Sequence, residues 1–285
     1  MEHMEEYSAL FGLCAEKPSD YSFINIWGWS EERHYEWAFN DGLCWLRLNS
    51  EGEPVYWAPL GDWNRSDWPE LMGKFFAPGT VFERTPQALA GIWAERLGER
   101  VRLEDQRSEW EYLYSYEAMA SLSGNKMHKK KNRVNLFVKL YDYAYAPICF
   151  QSIGGIREMQ QVWCKWRGCK ESPGLIAENT AIARVLDQWE SLPGILGGAL
   201  SVAGKTIAYT VAEDLGNGVV VIHFEKGLDT YKGVYQAINQ IFLANTPGFE
   251  TVNREQDMGI PGIRRAKESY HPVGFLKKYR VHWLG

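Results

Sequence analysis

The chain has 285 residues, of which 45% are hydrophobic and 24% charged, with a formal net charge of -5. That composition describes a folded protein of one large or two average domains; it excludes a disordered chain and a general nucleic-acid coat, though not a local basic patch. Five cysteines, at 14, 44, 149, 164 and 169, are odd in number and lack CxxC spacing, so neither a disulfide framework nor a zinc site is expected. The histidines lack ligand spacing, and no metal is predicted. The opening MEHMEEYSAL has none of the basic and apolar regions of a secretory signal. With no apolar run near the roughly 20 residues a membrane helix requires, a cytoplasmic location is expected.

In chain order, YSFINIWGW, HYEWAFNDGLCWLRLN and EPVYWAPLG read as a meander of strands, with Asn40-Asp41-Gly42 as a turn. Thr85-Pro86 then resembles a helix cap, followed by a stripe of Leu89, Trp93 and Leu97 that stops at Gly98. RVRLEDQ reads as a strand, and residues 115–122 as a short helix closed by Gly124. The dense basic run comes next: Lys126, Lys129, Lys130, Lys131 and Arg133 put five positive charges into eight residues. Val134, Phe137, Val138 and Tyr141 follow at helical spacing, so the run opens a helix, where the backbone dipole already disfavours cations. A bound phosphate would resolve that conflict; a solvated charged turn is the bland alternative.

Ile156, Met159, Trp163 and Trp166 mark the next helix, and Ser172-Pro173 caps another with Ile182, Val185, Leu186 and Trp189 inward. The period then changes. GGALSV, KTIAYTVAED and VVVIHFE are three strands joined at Ala203-Gly204 and Asn217-Gly218. A helix from about residue 232, a strand at FETVN, a helix at IPGIRRAKESY and a closing strand at GFLKKYRVHW complete the chain. In the segment from Thr251 to Tyr270, Asn253, Glu255 and Asp257 alternate as on one strand face, and Arg264, Arg265 and Lys267 follow beyond a turn at Gly259 and Gly262. The segment therefore reads as a polar site or as solvated surface ion pairs.

Two helices, an antiparallel meander, a helix, a strand, a helix and a strand is the order of the acetyltransferase-type GNAT fold. A looser version of it in the N-terminal part predicts an α+β protein with tandem GNAT-like units, divided as 1–124, a basic connector 125–150, and 151–285 carrying the site. YLYSYEAMASLSGNKMHKKKNRVNLF, HFEKGLDTYKGVYQAINQIF and VNREQDMGIPGIRRAKESYHP resemble the DUF2156 family, whose fold is that of the phosphatidylglycerol lysyltransferase C-terminal domain. The resemblance implies a relative of transferases that move an aminoacyl group from tRNA onto a lipid or peptide amine or hydroxyl. Its expected co-substrate is aminoacyl-tRNA or an acyl-CoA, with no tightly bound cofactor. Acetyl-CoA users present two small residues before the central helix, where this chain has Tyr231, Lys232 and the single Gly233.

Direct acyl transfer needs a base, oxyanion donors and a held pair of substrates, but no covalent nucleophile. Glu225, a carboxylate ending an apolar strand, is the candidate base or amine anchor, and Tyr270 the candidate proton donor to a leaving ribose oxygen; His223 reads as a sheet histidine on the same strand face as Glu225. Lys126, Lys129, Lys130, Arg133, Tyr231, Lys232, Gly233, Arg264 and Lys267 are expected to bind the donor, and Asn253, Glu255 and Asp257 a substrate ammonium. Two other functions fit the residues. One is a non-catalytic module that binds RNA or an amino-acid-like ligand; the other is sugar recognition by the aromatic N-terminal half, against which core packing is the commoner use of 13 tryptophans.

Overall fold

Three hairpin turns set the local order, because each places two successive residues in the left-handed region that matches strand twist. They are Asp41-Gly42 (φ 53 and 73), Ala203-Gly204 (φ 50 and 75) and Asn217-Gly218 (φ 53 and 73). In the computed structural model, which describes residues 1–49 and 54–285, the chain begins with α1 (Met4–Leu13), a 3-10 turn (Ser19–Tyr21), α2 (Phe23–Gly28) and α3 (Ser30–Arg33). It continues through β1 (Tyr35–Asn40), β2 (Leu43–Leu48), β3 (Val55–Gly61), α4 (Trp68–Phe75), β4 (Val81–Pro86), α5 (Gln87–Leu97), β5 (Val101–Asp105), β6 (Glu111–Ser115) and α6 (Tyr116–Ser121). After a 3-10 turn come α7 (His128–Leu140), β7 (Tyr143–Pro147), α8 (Ile153–Arg167), α9 (Pro173–Asp187), β8 (Ile195–Val202), β9 (Lys205–Asp214) and β10 (Val219–Gly227). The rest is α10 (Val234–Ala244), β11 (Thr251–Asn253), α11 (Pro261–Glu268), β12 (Gly274–Leu276) and β13 (Lys278–Trp283).

The order from α8 through α11, with β10 and β11 parallel, is the expected GNAT-like succession, preceded by β7, which was not expected, and the protein is α+β with two mixed sheets flanked by helices. One sheet has the order β1-β2-β3-β4-β13-β5 and the other β12-β6-β11-β10-β9-β8-β7. The sheets exchange strands. β6 pairs with β11 and β12, while β13 inserts between β4 and β5. GFLKKYRVHW is therefore two strands in two sheets rather than one closing strand, broken at Lys277.

Two further expectations give way to packing. YSFINIWGW forms the 3-10 turn and α2, because Ser22 caps the helix by accepting from the Asn25 N–H (3.3 Å), and Phe23, Ile24 and Ile26 are all buried. An alternating pattern cannot be told from a helix buried all round. Thr85 lies within β4 instead of capping α5 and is buried without a capping bond, while Pro86 ends β4 and holds the N-cap position with no side-chain bond to offer. The strand expected from Glu53 runs from Val55; Glu53 itself lies outside the described residues. Most of the tryptophan area is core, with Trp57, Trp68, Trp93 and Trp283 fully buried. Trp37 and Trp45, with Tyr56, Phe75 and Phe76, line a 260 Å³ cavity on the first sheet. The odd cysteine count misled: Cys164 and Cys169 are disulfide-bonded, because Gly168 in the left-handed conformation ends α8 and turns the chain back to a Cα separation of 5.0 Å. No helix is long and apolar enough to cross a membrane among the described residues.

The exchanged strand carries Lys278, fully buried between Asp20 and Glu111, with Nζ 2.6 Å from Glu111. Burial alone would raise the Asp20 carboxyl, but Arg84 and Lys278 beside it hold it well below the ordinary carboxylate range. Glu111 also accepts from the Ser19 N–H (2.9 Å) and hydroxyl (3.0 Å), and from the Asn253 amide. Replacing Lys278 with Met leaves two buried carboxylates short of a cation. We expect a loss of about 3–5 kcal/mol, read as a lowered urea midpoint; a loss below about 1 kcal/mol would show that the network does not hold the sheets together.

Candidate functional site

β10 and β11 pair only from Val219 to Val221 against Thr251 to Asn253. Beyond that point β10 stays with β9 through Gly227, whereas the segment after β11 parts from β10 at Arg254, still exchanging backbone hydrogen bonds with Tyr112 of β6 (3.0 and 3.2 Å), and reverses at Glu255, whose φ is 56. A wedge opens between them. The expected strand from Asn253 to Asp257 thus stops at Asn253. His223 is the extra residue of a bulge in β10, between the Ile222–Ala212 and Phe224–Val211 pairs. The bulge breaks the alternation, so His223 and Glu225 do not share a face as their spacing suggests. His223 meets Glu213 of β9, while Glu225, opposite Thr210, meets Asn239 of α10.

On the α10 side, Glu225 accepts from Asn239 Nδ2 (2.8 Å) and from the Arg254 guanidinium (3.1 Å). Arg254 lies 5.0 Å from the centre of the Tyr270 ring, and the Lys130 ammonium caps that ring at 4.1 Å while donating to Ser269 Oγ (2.7 Å). Burial pushes the Tyr270 hydroxyl up, which keeps it a proton donor through the neutral range. Burial, and then Arg254, lower the Lys130 ammonium. The structure thus gathers Glu225, Tyr270 and Lys130 around Arg254. Two buried oxygens beside Glu225, Asn239 Oδ1 and Thr210 Oγ1, have no partner among the described residues. The amide orientation follows from chemistry, since only the NH₂ of Asn239 can bond a carboxylate.

On the opposite side, His223 is clamped between Glu213 (2.8 Å) and Glu255 (2.9 Å), and Glu255 also accepts from Asn25 of α2 (3.0 Å). Asn253 donates its NH₂ to Glu111, and its amide oxygen accepts from the Glu255 N–H (2.8 Å). Asp257 is buried, taking Arg264 (2.8 and 3.0 Å), the Tyr112 hydroxyl (2.7 Å), Arg107 (3.3 Å) and the Gly259 N–H (2.8 Å). Burial would raise its carboxyl, yet Arg264, Tyr112 and Gly259 hold it down to about 2. Asn253 is therefore spent on Glu111 and Glu255, Asp257 and Arg264 bond each other, and α11 is anchored by Asp257. Lys267 donates to the carbonyls of Arg254 and Glu255 (3.1 Å to the latter), fixing the reversal; burial, with Arg254 next, lowers its ammonium to about 8.

Lys126, in the 3-10 turn before α7, and Lys129 and Arg133, in its first half, are exposed, and none joins an ion pair among the described residues. Val138, placed on the inner stripe by spacing, is 47% exposed, while Val134 and Phe137 are buried. Tyr231, Lys232 and Gly233 are turned to α7 and its end: Tyr231 packs on Tyr141 (5.0 Å), the Lys232 N–H donates to the Tyr141 hydroxyl (3.0 Å), and a Cβ on Gly233 would collide with the Arg133 carbonyl. The contacts give these three a packing role. Arg254 and Asn239 escaped the sequence reading. Asn239 did leave a signal, a polar residue amid the inward stripe of Ile238, Ile241 and Phe242.

With that geometry in place, residues 11–282 match the family described as phosphatidylglycerol lysyltransferase, C-terminal. The chain belongs to this family. A crystal structure of a conserved protein of unknown function from Bacteroides thetaiotaomicron superposes with TM-score 0.87 at 27% identity, covering 99% of this chain and 97% of that one. The C-terminal domain of a putative lysylphosphatidylglycerol synthetase from Agrobacterium fabrum superposes with TM-score 0.67 at 13% identity, covering 100% and 92%. An uncharacterized protein of Mycoplasmoides gallisepticum is 26% identical over 196 residues, 68% of this chain and 63% of that protein, so the match spans less than two thirds of that relative. The phosphatidylglycerol lysyltransferase C-terminal fold is thus shared over essentially the whole chain.

Burial would lower the His223 pKa, but the hydrogen bonds the imidazolium donates to Glu213 and Glu255 raise it to about 9, well above its ordinary 6.5. The folded state therefore holds a proton that the unfolded chain releases, and the stabilisation present below pH 6.5 is lost as pH rises toward 9. Above about pH 7.5 Lys267 begins to release its proton in the folded state and works in the opposite direction, so the His223 slope is read between about pH 6.5 and 7.5. Stability should fall by roughly 1 kcal/mol across that window in urea titrations, and His223→Gln should flatten the slope.

Proposed function

We propose that this protein is an aminoacyltransferase that moves an aminoacyl group from a tRNA ester to an amine or hydroxyl acceptor by direct transfer. The observation that carries the proposal is the meeting of Glu225, Arg254 and Tyr270 at the wedge beneath Lys130, the residue that ties the site to the basic helix. The acceptor nitrogen or oxygen attacks the ester carbonyl and gives its proton to Glu225; the ribose oxygen leaves with the proton of Tyr270, which Glu225 then restores through solvent. Arg254 is the donor for the oxyanion. The unpartnered oxygens of Asn239 and Thr210 suit an ammonium next to Glu225, as an aminoacyl donor presents and a plain acyl group does not. That role passes to them from Asn253 and Asp257, whose bonding capacity is spent internally.

An acyl-CoA donor is the weaker alternative, because α7 covers the start of α10, where a pyrophosphate would meet backbone amides. A binding module without turnover is the second reading, and the donors already held by both oxygens of Glu225 favour it. Bulk aminoacyl-tRNA binding with coenzyme A as competitor tests the donor. We expect binding that coenzyme A does not displace, that weakens about a hundredfold between about 50 and 200 mM salt, and that is lost in Lys129→Glu/Lys130→Glu. Coenzyme A binding without tRNA binding would sink the proposal. Glu225→Gln should cut single-turnover transfer by about 10²–10⁴-fold with tRNA affinity retained; transfer at the unsubstituted rate would remove Glu225 from the mechanism.

A further inference from the structure

The ring of Trp37 packs on Tyr7 of α1 (5.5 Å), so its neighbours in β1, Glu36 and Ala38, turn to the opposite face of the first sheet. Glu36 stands opposite Arg47 and Ala38 opposite Trp45, and Arg47 in turn stands opposite Tyr56 of β3. Directly opposed residues share a face, so these five lie together. Phe75, at the end of α4, and Phe76 stand over them. Phe76 is 5.0 Å from Trp45 and 5.2 Å from Tyr56, and Phe75 is 6.0 Å from Trp45. The 260 Å³ cavity left between has aromatic walls, the small Ala38 in its floor and, at one end, the Glu36 carboxylate beside the Arg47 guanidinium. Glu36 accepts from Arg47 Nε and from Asn49 Nδ2 (3.1 Å). Arg47 gives only its Nε to that pair, and both of its NH₂ groups are open to a ligand.

A carboxylate beside a guanidinium calls for donors next to an acceptor, and aromatic walls call for a flat body. Guanine has both: its N1–H and N2–H can donate to Glu36 while its O6 accepts from Arg47. We infer that this cavity binds a guanine base, with the rings of Trp45, Tyr56 and Phe76 against its faces. Adenine, cytosine and uracil each set only one donor group against the carboxylate. A sugar carries hydroxyls all round its rim, and those facing the rings would go unpaired. A free amino acid would bring a full charge to each partner and compete with the bond between Glu36 and Arg47, whereas guanine is neutral and leaves that bond intact.

The cavity is just smaller than the usual site of a drug-sized ligand, which suits one ring system rather than a chain. An adjoining cavity of 660 Å³ shares Tyr56, Phe75 and Phe76 and leaves room for the ribose. The same base is presented by a free guanine nucleotide and by a guanosine in single-stranded RNA. The cavity lies on the first sheet and the wedge in the second, so guanine binding does not rest on the transferase proposal.

The test is equilibrium dialysis of the full chain against radiolabelled GMP, with unlabelled AMP, UMP, L-phenylalanine and glucose as competitors. We expect GMP to bind, AMP to compete about tenfold more weakly or worse, and UMP more weakly still. Tyr56→Ala should weaken GMP and AMP alike by about tenfold, whereas Glu36→Gln should weaken GMP by about tenfold and bring it level with AMP. Circular-dichroism melts check folding, and Glu36→Gln, at a side chain 41% exposed, keeps the test decisive if Tyr56→Ala fails to fold. A uridine hexamer with one guanosine that binds about tenfold more tightly than GMP would assign the site to RNA, and equal or weaker binding would assign it to a free nucleotide. No binding of GMP, equal competition by AMP, an unchanged GMP affinity in Glu36→Gln, or stronger competition by phenylalanine or glucose than by unlabelled GMP would each overturn the inference.

Discussion

The buried ammonium of Lys278 is the constraint on which the two sheets depend. It arrives on a strand that belongs by sequence to the second half and by pairing to the first, and it meets Asp20 from the first half and Glu111 at the root of the second sheet. Removing charges from water is costly, and here the cost is offset only because each carboxylate also accepts other hydrogen bonds: Arg84 and Gln256 on Asp20, and Ser19 and Asn253 on Glu111. Register follows from that requirement. A slip of β13 by one residue would place Lys278 on the wrong face and strand two carboxylates in the interior.

From this anchor the network reaches the wedge without a break. Glu111 holds Asn253, the last residue of β11, and Asn253 holds the backbone of Glu255, which holds His223 at the bulge. Its neighbour Arg254 faces the other way, to Glu225 and Tyr270. The position of the candidate chemical groups is thereby set from both ends: from the sheet interface through backbone, and from α11 through Asp257 and Lys267. Few of these side chains need touch a substrate to matter for the geometry of those that do.

What the sequence discloses is what is encoded locally. The hairpins declare themselves in two-residue turns, the helices in their stripes, and Glu225, Tyr270 and Lys130 in polar residues set against apolar runs. What it conceals depends on distant partners. The bulge at His223 leaves no mark on VVVIHFE, and the division of GFLKKYRVHW carries no glycine or proline at Lys277. Alternation misassigned α2 because part of its burial comes from the distant α9, whose Ala181 and Val185 sit against Gly28. Arg254, flanked by two residues that spacing did single out, is decisive only because the chain parts from β10 there.

The exchange of β13 also has a consequence for how the protein is made. The first sheet lacks its strand between β4 and β5 until residue 283 has emerged from the ribosome. Through most of synthesis, β4 and β5 stand with unpaired edges and the carboxylate of Asp20 without Lys278. Half-by-half folding cannot complete the first sheet of such a chain, and its strand edges stay open to wrong pairing until the last strand arrives.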